Sequence, residues 1–298
     1  MTLYSAERVA PGHRDRVGES PLWDTAQRAL WWVDIESFKI RRLAPGAAAP
    51  QSWTLPERVA CIALHAEGGL VAALETRIVH VKFDIGGDAI LETIAPAHHE
   101  HGGMRFNDGR CDRSGRFWVS NMVRDMAANV PAGRLYRLDR QGLTTTPIAS
   151  LYTPNGLAFD ADGRGMWWSD SHPLSQCIWR APLNDDGSVG MRRLLVDMRD
   201  VPGRPDGAAI DIDGGYWICA NDAGRVLRFT PDGRLDRSMS VPVSKPSMCS
   251  FGGDTLDTLF VTSIQPATPQ GEDLELAGEV FALRPGTQGL AEMPFRQR

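Results

Sequence analysis

The sequence predicts an all-β chain folded as a six-bladed β-propeller, with four-stranded antiparallel blades around a central channel. Three observations lead there. First, a short pattern recurs. Glu19-Ser20-Pro21-Leu22-Trp23-Asp24 places an oxygen-bearing side chain five residues before an Asp, and so do the stretches Asn107 to Asp112, Asn155 to Asp160 and Asp206 to Asp211. Second, with Ala60 and Ser247 as the matching points of two further units, the leading positions are 19, 60, 107, 155, 206 and 247, in steps of 41, 47, 48, 51 and 41 residues. A period of ~40–50 residues carrying several short strands is that of propeller blades. Third, β-branched and aromatic runs are bounded by Gly turns, and no helical stripe of useful length competes with them.

Each unit opens with an apolar inner strand, turns, and returns through a second strand that is often rich in Trp. The turn-and-return segments are Asp24 to Trp32, His65 to Val71, Asp112 to Trp118, Asp160 to Trp168, Asp211 to Trp217 and Gly252 to Phe260. A third strand follows in every unit: Phe38 to Leu43, Arg77 to Phe83, Arg134 to Leu138, Cys177 to Ala181, Arg225 to Phe229 and Glu279 to Leu283. The stretch Leu3 to Val9 is expected to join the last unit and close the ring. No Pro/Ser-rich linker divides the chain, so residues 1–298 read as one domain.

Of the 298 residues, 42% are hydrophobic and 23% charged, ordinary for a globular chain with ample core. No apolar run approaches the ~20 residues of a membrane helix, and Met1 to Arg16 lack an apolar signal segment. A cytoplasmic protein with no membrane partner is expected. A net charge of −5 argues against a general nucleic-acid binder. The 32 basic residues include only three lysines, Lys39, Lys82 and Lys245, a bias that genome composition explains as well as function does. The five cysteines (Cys61, Cys111, Cys177, Cys219, Cys249) are far apart and mostly in apolar strands, which reads as buried free thiols rather than a zinc site.

In a propeller the inner strands run the same way along the channel, so equal repeat positions meet at one height. Glu19, Asn107, Asn155 and Asp206 should therefore converge. Two carboxylates at about 4 Å repel by ~4 kcal/mol at an effective dielectric near 20, and a divalent cation removes that repulsion. An all-oxygen set of two carboxylates, an amide and waters suits Ca²⁺, Mg²⁺ or Mn²⁺. The trailing Asp24, Asp112, Asp160 and Asp211 read instead as turn builders.

Arg105 stands two residues before Asn107 and by strand alternation points to the same side, where it can hydrogen-bond a polyhydroxylated or anionic ligand. Arg204 and Lys245 hold the same repeat position. His98, His99 and His101 lie in a Gly-flanked loop and read as solvated loop residues or a flap over the channel mouth. Trp31-Trp32 and Trp167-Trp168 read as blade packing. The chain has no G-x-S-x-G elbow, phosphate loop, H-E-x-x-H or dinucleotide fingerprint.

Gly18-Glu19-Ser20-Pro21-Leu22-Trp23 followed by Trp32-Val33-Asp34-Ile35 resembles the opening of the regucalcin/gluconolactonase (senescence marker protein) family. Arg105 to Gly109, Pro154 to Leu157, Pro205 to Gly207, Lys245-Pro246 with Cys249 to Gly253, and Gly278 to Phe281 are similar to its remaining motifs, in order and over nearly the whole chain. The resemblance implies a six-bladed propeller that hydrolyses sugar lactones with one divalent metal ion. Glu19, Asn155 and Asp206 would be the metal ligands, Asp206 also the general base, and Arg105 and Asn107 would bind substrate. The chain departs from the vertebrate pattern at Ser120 to Asp125, where Arg124 stands among residues that are acidic there. Such an Arg would suit a lactone carrying a carboxylate or a differently placed hydroxyl.

The expected function is hydrolysis of an aldonolactone to its aldonic acid in sugar catabolism, by a monomer or weak homo-oligomer. Ca²⁺ is the expected ion by ligand type, with Mg²⁺, Mn²⁺, Zn²⁺ or Fe²⁺ as the other candidates. The alternatives are a metal-dependent phosphotriesterase or arylesterase, a calcium-binding regulatory protein, and a protein-binding scaffold of the WD-repeat kind. The last normally shows Gly-His and Trp-Asp markers, of which only an isolated Trp23-Asp24 and a misplaced Gly12-His13 are present.

Overall fold

The computed structural model describes residues 6–84 and 86–297. They form six four-stranded antiparallel sheets, as the repeat predicts. The inner strands are Gly18–Asp24, Val59–Leu64, Met104–Cys111, Pro154–Phe159, Arg204–Ile210 and Pro246–Gly252. In the first five blades the remaining three strands follow outward in chain order. The sixth blade takes its outermost strand from the other end of the chain: Glu7 pairs with Ala282 and Arg8 with Phe281. Arg8 also donates two 2.6 Å hydrogen bonds to the buried Glu279 carboxylate, and the Gly12 amide adds a third at 2.8 Å. The expected closing strand is thus observed at Glu7–Arg8, while Leu3 to Ser5 lie outside the described residues.

The turn signal of the repeats has a specific structure. In Asp112 to Gly115 the Gly115 amide donates to the Asp112 carbonyl at 3.0 Å, and Gly115 takes φ +81°, the left-handed conformation that glycine adopts without strain. The Asp112 carboxylate accepts from the Ser114 amide, from the Trp118 indole at 2.8 Å and from Arg116 at 2.5 Å. Asp160 accepts likewise from Trp167 and Arg180, and Asp211 from Trp217 and Arg228. Asp112, Asp160 and Asp211 therefore build turns and also clasp the buried Trp of the second strand, whereas Asp24 accepts from the Ala26 and Gln27 amides of its turn. Blade two replaces this clasp with His65 and His80, whose rings stack at 3.6 Å.

Trp32, Trp118, Trp167, Trp168 and Trp217 are fully buried between neighbouring sheets. Burying the ~150–250 Å² of a Trp contributes on the order of 4–6 kcal/mol. These rings, not a single central core, hold the blades together, which accounts for the Trp-rich second strands. All five cysteines are free, four of them buried and Cys177 half-buried.

Side chains also join adjacent inner strands around the channel. The Ser20 hydroxyl accepts from the Ile62 amide at 2.9 Å, Asn107 donates to the Pro154 carbonyl at 3.0 Å, and the Leu157 amide donates to Asp108 at 2.7 Å. Ser247 donates to the Gly18 carbonyl, and Ser171, just past a second strand, donates to the Pro205 carbonyl of the next inner strand at 2.6 Å. Among the described residues no helix is long and apolar enough to cross a membrane.

Candidate metal centre at the channel mouth

Every inner strand carries an irregularity in its pairing at or beside the leading position. Glu19 pairs with Val33 but Leu22 with Trp31, so Ser20-Pro21 oppose one residue. The same shift brackets Asn107-Asp108, Gly156-Leu157, Asp206-Gly207 and Ser247-Met248, and a related one falls at Ala60. A bulge of this kind bends the strand and re-aims its side chains. Ser20 (φ +51°) and Gly156 (φ +63°) occupy the left-handed region immediately after Glu19 and Asn155. A one-residue slip repeated at one height turns polar side chains into an otherwise packed channel.

There they meet. Glu19, Arg105, Asn107, Asn155, Arg204, Asp206 and Lys245 line a single cavity of about 290 Å³. Ser171 fixes the amide of Asn155 by accepting from its Nδ2 at 2.8 Å, which leaves Oδ1 toward Asn107, 3.1 Å from that residue's Nδ2. Arg105 donates to Asn107 Oδ1 at 2.8 Å. Asn221 donates to Asp206 Oδ2 at 2.7 Å. Ala60 and Ser247, the other two leading positions, bring no charged group.

The two carboxylates lack the partners that buried acids normally have. Glu19 accepts one long bond, 3.3 Å, from the Ser20 amide, and neither acid has an ion-pair partner among the described residues. Burial, and then the charges of Asp206 and Asp108, push the Glu19 carboxyl well above its usual range. Burial also pushes Asp206 up to about 7, against the opposing effects of the Asn221 hydrogen bond and the Arg204 charge. A hard-oxygen set left uncompensated in this way fits a divalent cation, whose charge would return both groups to their ionised form.

Three contributors were not singled out from the sequence. Asp108, inside the bulge, is buried with Oδ1 unpartnered, and burial raises its carboxyl. Ser171 and Asn221 sit at or just past the ends of second strands, where a blade returns to the channel mouth. Their distance of about fifteen residues from Asn155 and Asp206 is the hairpin's length, a signal that the repeat contains.

The histidine loop is tied down. His99 Nε2 lies 2.9 Å from the Glu75 carbonyl, His99 Nδ1 lies 3.1 Å from Asn121 Nδ2, and Glu100 pairs with Arg134 at 2.7 Å. His98 and His101 are exposed. A separate grouping of ligand-type side chains, His65, Glu67 and His80, lies at the far end of blade two. Each of its stacked rings spends one nitrogen locally: His65 Nδ1 accepts from the Glu67 amide and His80 Nε2 lies 2.7 Å from the Gly68 carbonyl.

Residues 17–265 match the family described as the SMP-30/Gluconolactonase/LRE-like region. The chain belongs to that family. It is 36% identical over 286 residues to 6-deoxy-6-sulfogluconolactonase of Pseudomonas putida, covering 94% of both chains. It is 31% identical over 293 residues to L-arabinolactonase of Azospirillum brasilense, covering 95% of this chain and 93% of the relative. Its fold superposes on a regucalcin of Agrobacterium tumefaciens with a TM-score of 0.88 at 24% identity, over 99% of this chain and 100% of that one.

Proposed function

We propose that the protein hydrolyses a sugar lactone to the corresponding aldonic acid with one divalent metal ion held by Glu19, Asn155 and Asp206. The observation that carries this reading is the pair of buried, uncompensated carboxylates opening onto a sugar-sized polar cavity. Membership of a family that includes lactonases of hexono- and pentonolactone type supports it. When bound, the cation supplies positive charge that polarises the lactone carbonyl and stabilises the developing oxyanion. Asp206 serves as general base: with the cation in place its carboxylate would be ionised and able to take a proton from attacking water. Asn221 orients its carboxylate by occupying Oδ2. Arg105 and Asn107, already hydrogen-bonded to each other, hold the ring oxygens so that attack is aligned. Asn107 also keeps the Asn155 amide facing the site.

Hard oxygen donors favour Ca²⁺, with Mg²⁺, Mn²⁺, Zn²⁺ and Fe²⁺ as the arms of a reconstitution series. The test is acid release from a panel of pentono- and hexonolactones, corrected for spontaneous opening, with metal-loaded protein, chelated protein and Asp206→Ala. Turnover that survives chelation or the substitution would refute the assignment.

A further inference from the structure

The residue two places before each leading position forms a second ring above the metal set: Val17, Arg58, Arg105, Thr153, Arg204 and Lys245. All but Arg58 line the same cavity. Four of the six are cationic in a chain whose net charge is −5, and their pairing is uneven. Arg58 is matched by Glu36 and Glu75. Arg105 donates to the Phe106 carbonyl and to Asn107 and has no carboxylate partner among the described residues. Arg204 and Lys245 share a single carboxylate, Asp222.

That sharing is built in. Asp222 lies in the turn between the strands Tyr216–Asn221 and Arg225–Phe229 with φ +75°. Asp is one of the few L residues that adopt this conformation readily in a turn. The Arg204 guanidinium is held further by the Ser171 carbonyl at 3.3 Å and by Asn221 Oδ1 at 3.4 Å. Asn221 also holds Asp206, so the cation is positioned relative to the proposed base. With the metal set neutralised by its ion, two cations against one carboxylate leave positive charge exposed in the cavity. A cleft with low-dielectric walls focuses that field on an entering anion.

We propose that Arg204 and Lys245 form a subsite for an anionic substituent, a sulfonate, phosphate or carboxylate, carried by the lactone at the end of its carbon chain remote from the carbonyl. This rests on the lactonase reading and names the substrate class of that same site. The fixed planar guanidinium supplies a fork for two oxygens and the lysine a mobile point charge. A neutral sugar would meet mostly donors on this wall and would leave the two cations with only Asp222 as counter-charge.

The test compares kcat/KM of the metal-loaded protein for glucono-1,5-lactone with its 6-phosphate, its 6-sulfonate and its 6-carboxyl counterparts. The expected result is a preference for at least one anionic lactone of about tenfold to a hundredfold, expressed in KM and eroded by added salt. Lys245→Gln and Arg204→Gln should shrink that ratio by about tenfold, lowering the anionic lactone's kcat/KM more than the neutral one's. Equal kcat/KM for neutral and anionic lactones, or a ratio that neither substitution moves, overturns the subsite while leaving the lactonase reading intact. Calorimetry with gluconate and 6-phosphogluconate asks the same question without turnover. Tighter 6-phosphogluconate binding that Lys245→Gln abolishes supports the subsite even if no lactone is hydrolysed, an outcome that would sink the lactonase reading alone. Equal binding of the two acids counts against the subsite.

Discussion

Asp206 and Asp211 stand at opposite ends of one inner strand, five residues apart, both buried, and they do opposite work. Asp211 accepts from the amides of Asp213 and Gly215, from the Trp217 indole and twice from Arg228. Asp206 accepts from Asn221 alone among the described residues. A carboxylate whose lone pairs are filled by fixed donors is a structural joint. One starved of donors is held ready for a ligand. Residue type and burial do not separate them; repeat position and the count of donors do.

The sharpest way to break the comparison is to remove each carboxylate in turn. Asp206→Ala is expected to lower lactone kcat/KM by about 10³-fold or more, with a melting temperature that holds or rises because a buried, unpaired charge has gone. Asp211→Ala should do the reverse. It leaves the nearly buried Arg228 guanidinium with Asp236 as its remaining carboxylate partner and strands the Trp217 N–H, and should destabilise the fold by ~2–4 kcal/mol in urea titration, while the folded fraction keeps its turnover. If Asp211→Ala proved as stable as the parent, the clasp would be incidental.

Next in size is Ser171→Ala. It removes one of the two partners that fix the Asn155 amide and should weaken metal affinity ~10–100-fold, read by calorimetric titration with Ca²⁺ or Mn²⁺. An unchanged affinity would show that Asn107 alone orients the amide.

The smallest effect is a pH dependence. Asp206 titrates about 7 in the metal-free fold, against ~3.9 unfolded, so the folded chain holds the extra proton between those values. Metal-free stability should therefore rise as pH falls from 8 to 5, by at most ~1.4 kcal/mol per pH unit for one proton. Saturating metal should reduce the trend to the part set by Asp15, which burial away from the site likewise pushes up to about 7, and metal affinity should fall below pH 7 as protons compete. Thermal denaturation at three pH values, with and without metal, reads both. A metal-free protein that loses stability on that descent would contradict the assignment.

Much of this was legible in the sequence because a ring converts spacing into position. Equal phase placed Glu19, Asn107, Asn155 and Asp206 at one height, and a strand-like N-terminal stretch ahead of the first unit pointed to closure of the ring. The bulge was not legible. It is a property of pairing between two strands, and strict alternation would have turned Asp108 away from the face that Asn107 occupies. Asn221 and Ser171 stayed hidden because they act across a hairpin, at the return end of the neighbouring strand. Asp222 was invisible for another reason: its role comes from a left-handed backbone that an Asp-Ala-Gly turn permits but does not announce. His99 was under-read as solvated, since its two partners, Glu75 and Asn121, come from different blades.

The pairing of Glu7–Arg8 with Phe281–Leu283 bears on how the molecule is made. On a ribosome the outermost strand of the last sheet emerges first and must wait for nearly the whole chain before its partner appears. Five sheets can zip locally from neighbouring hairpins, with low contact order. Circularisation is a long-range event, as is the docking of the C-terminal segment, where Phe295 pairs with His65 and the Arg296 amide donates to the Gly115 carbonyl. Until it occurs the nascent protein exposes an unpaired β edge that invites association with other chains.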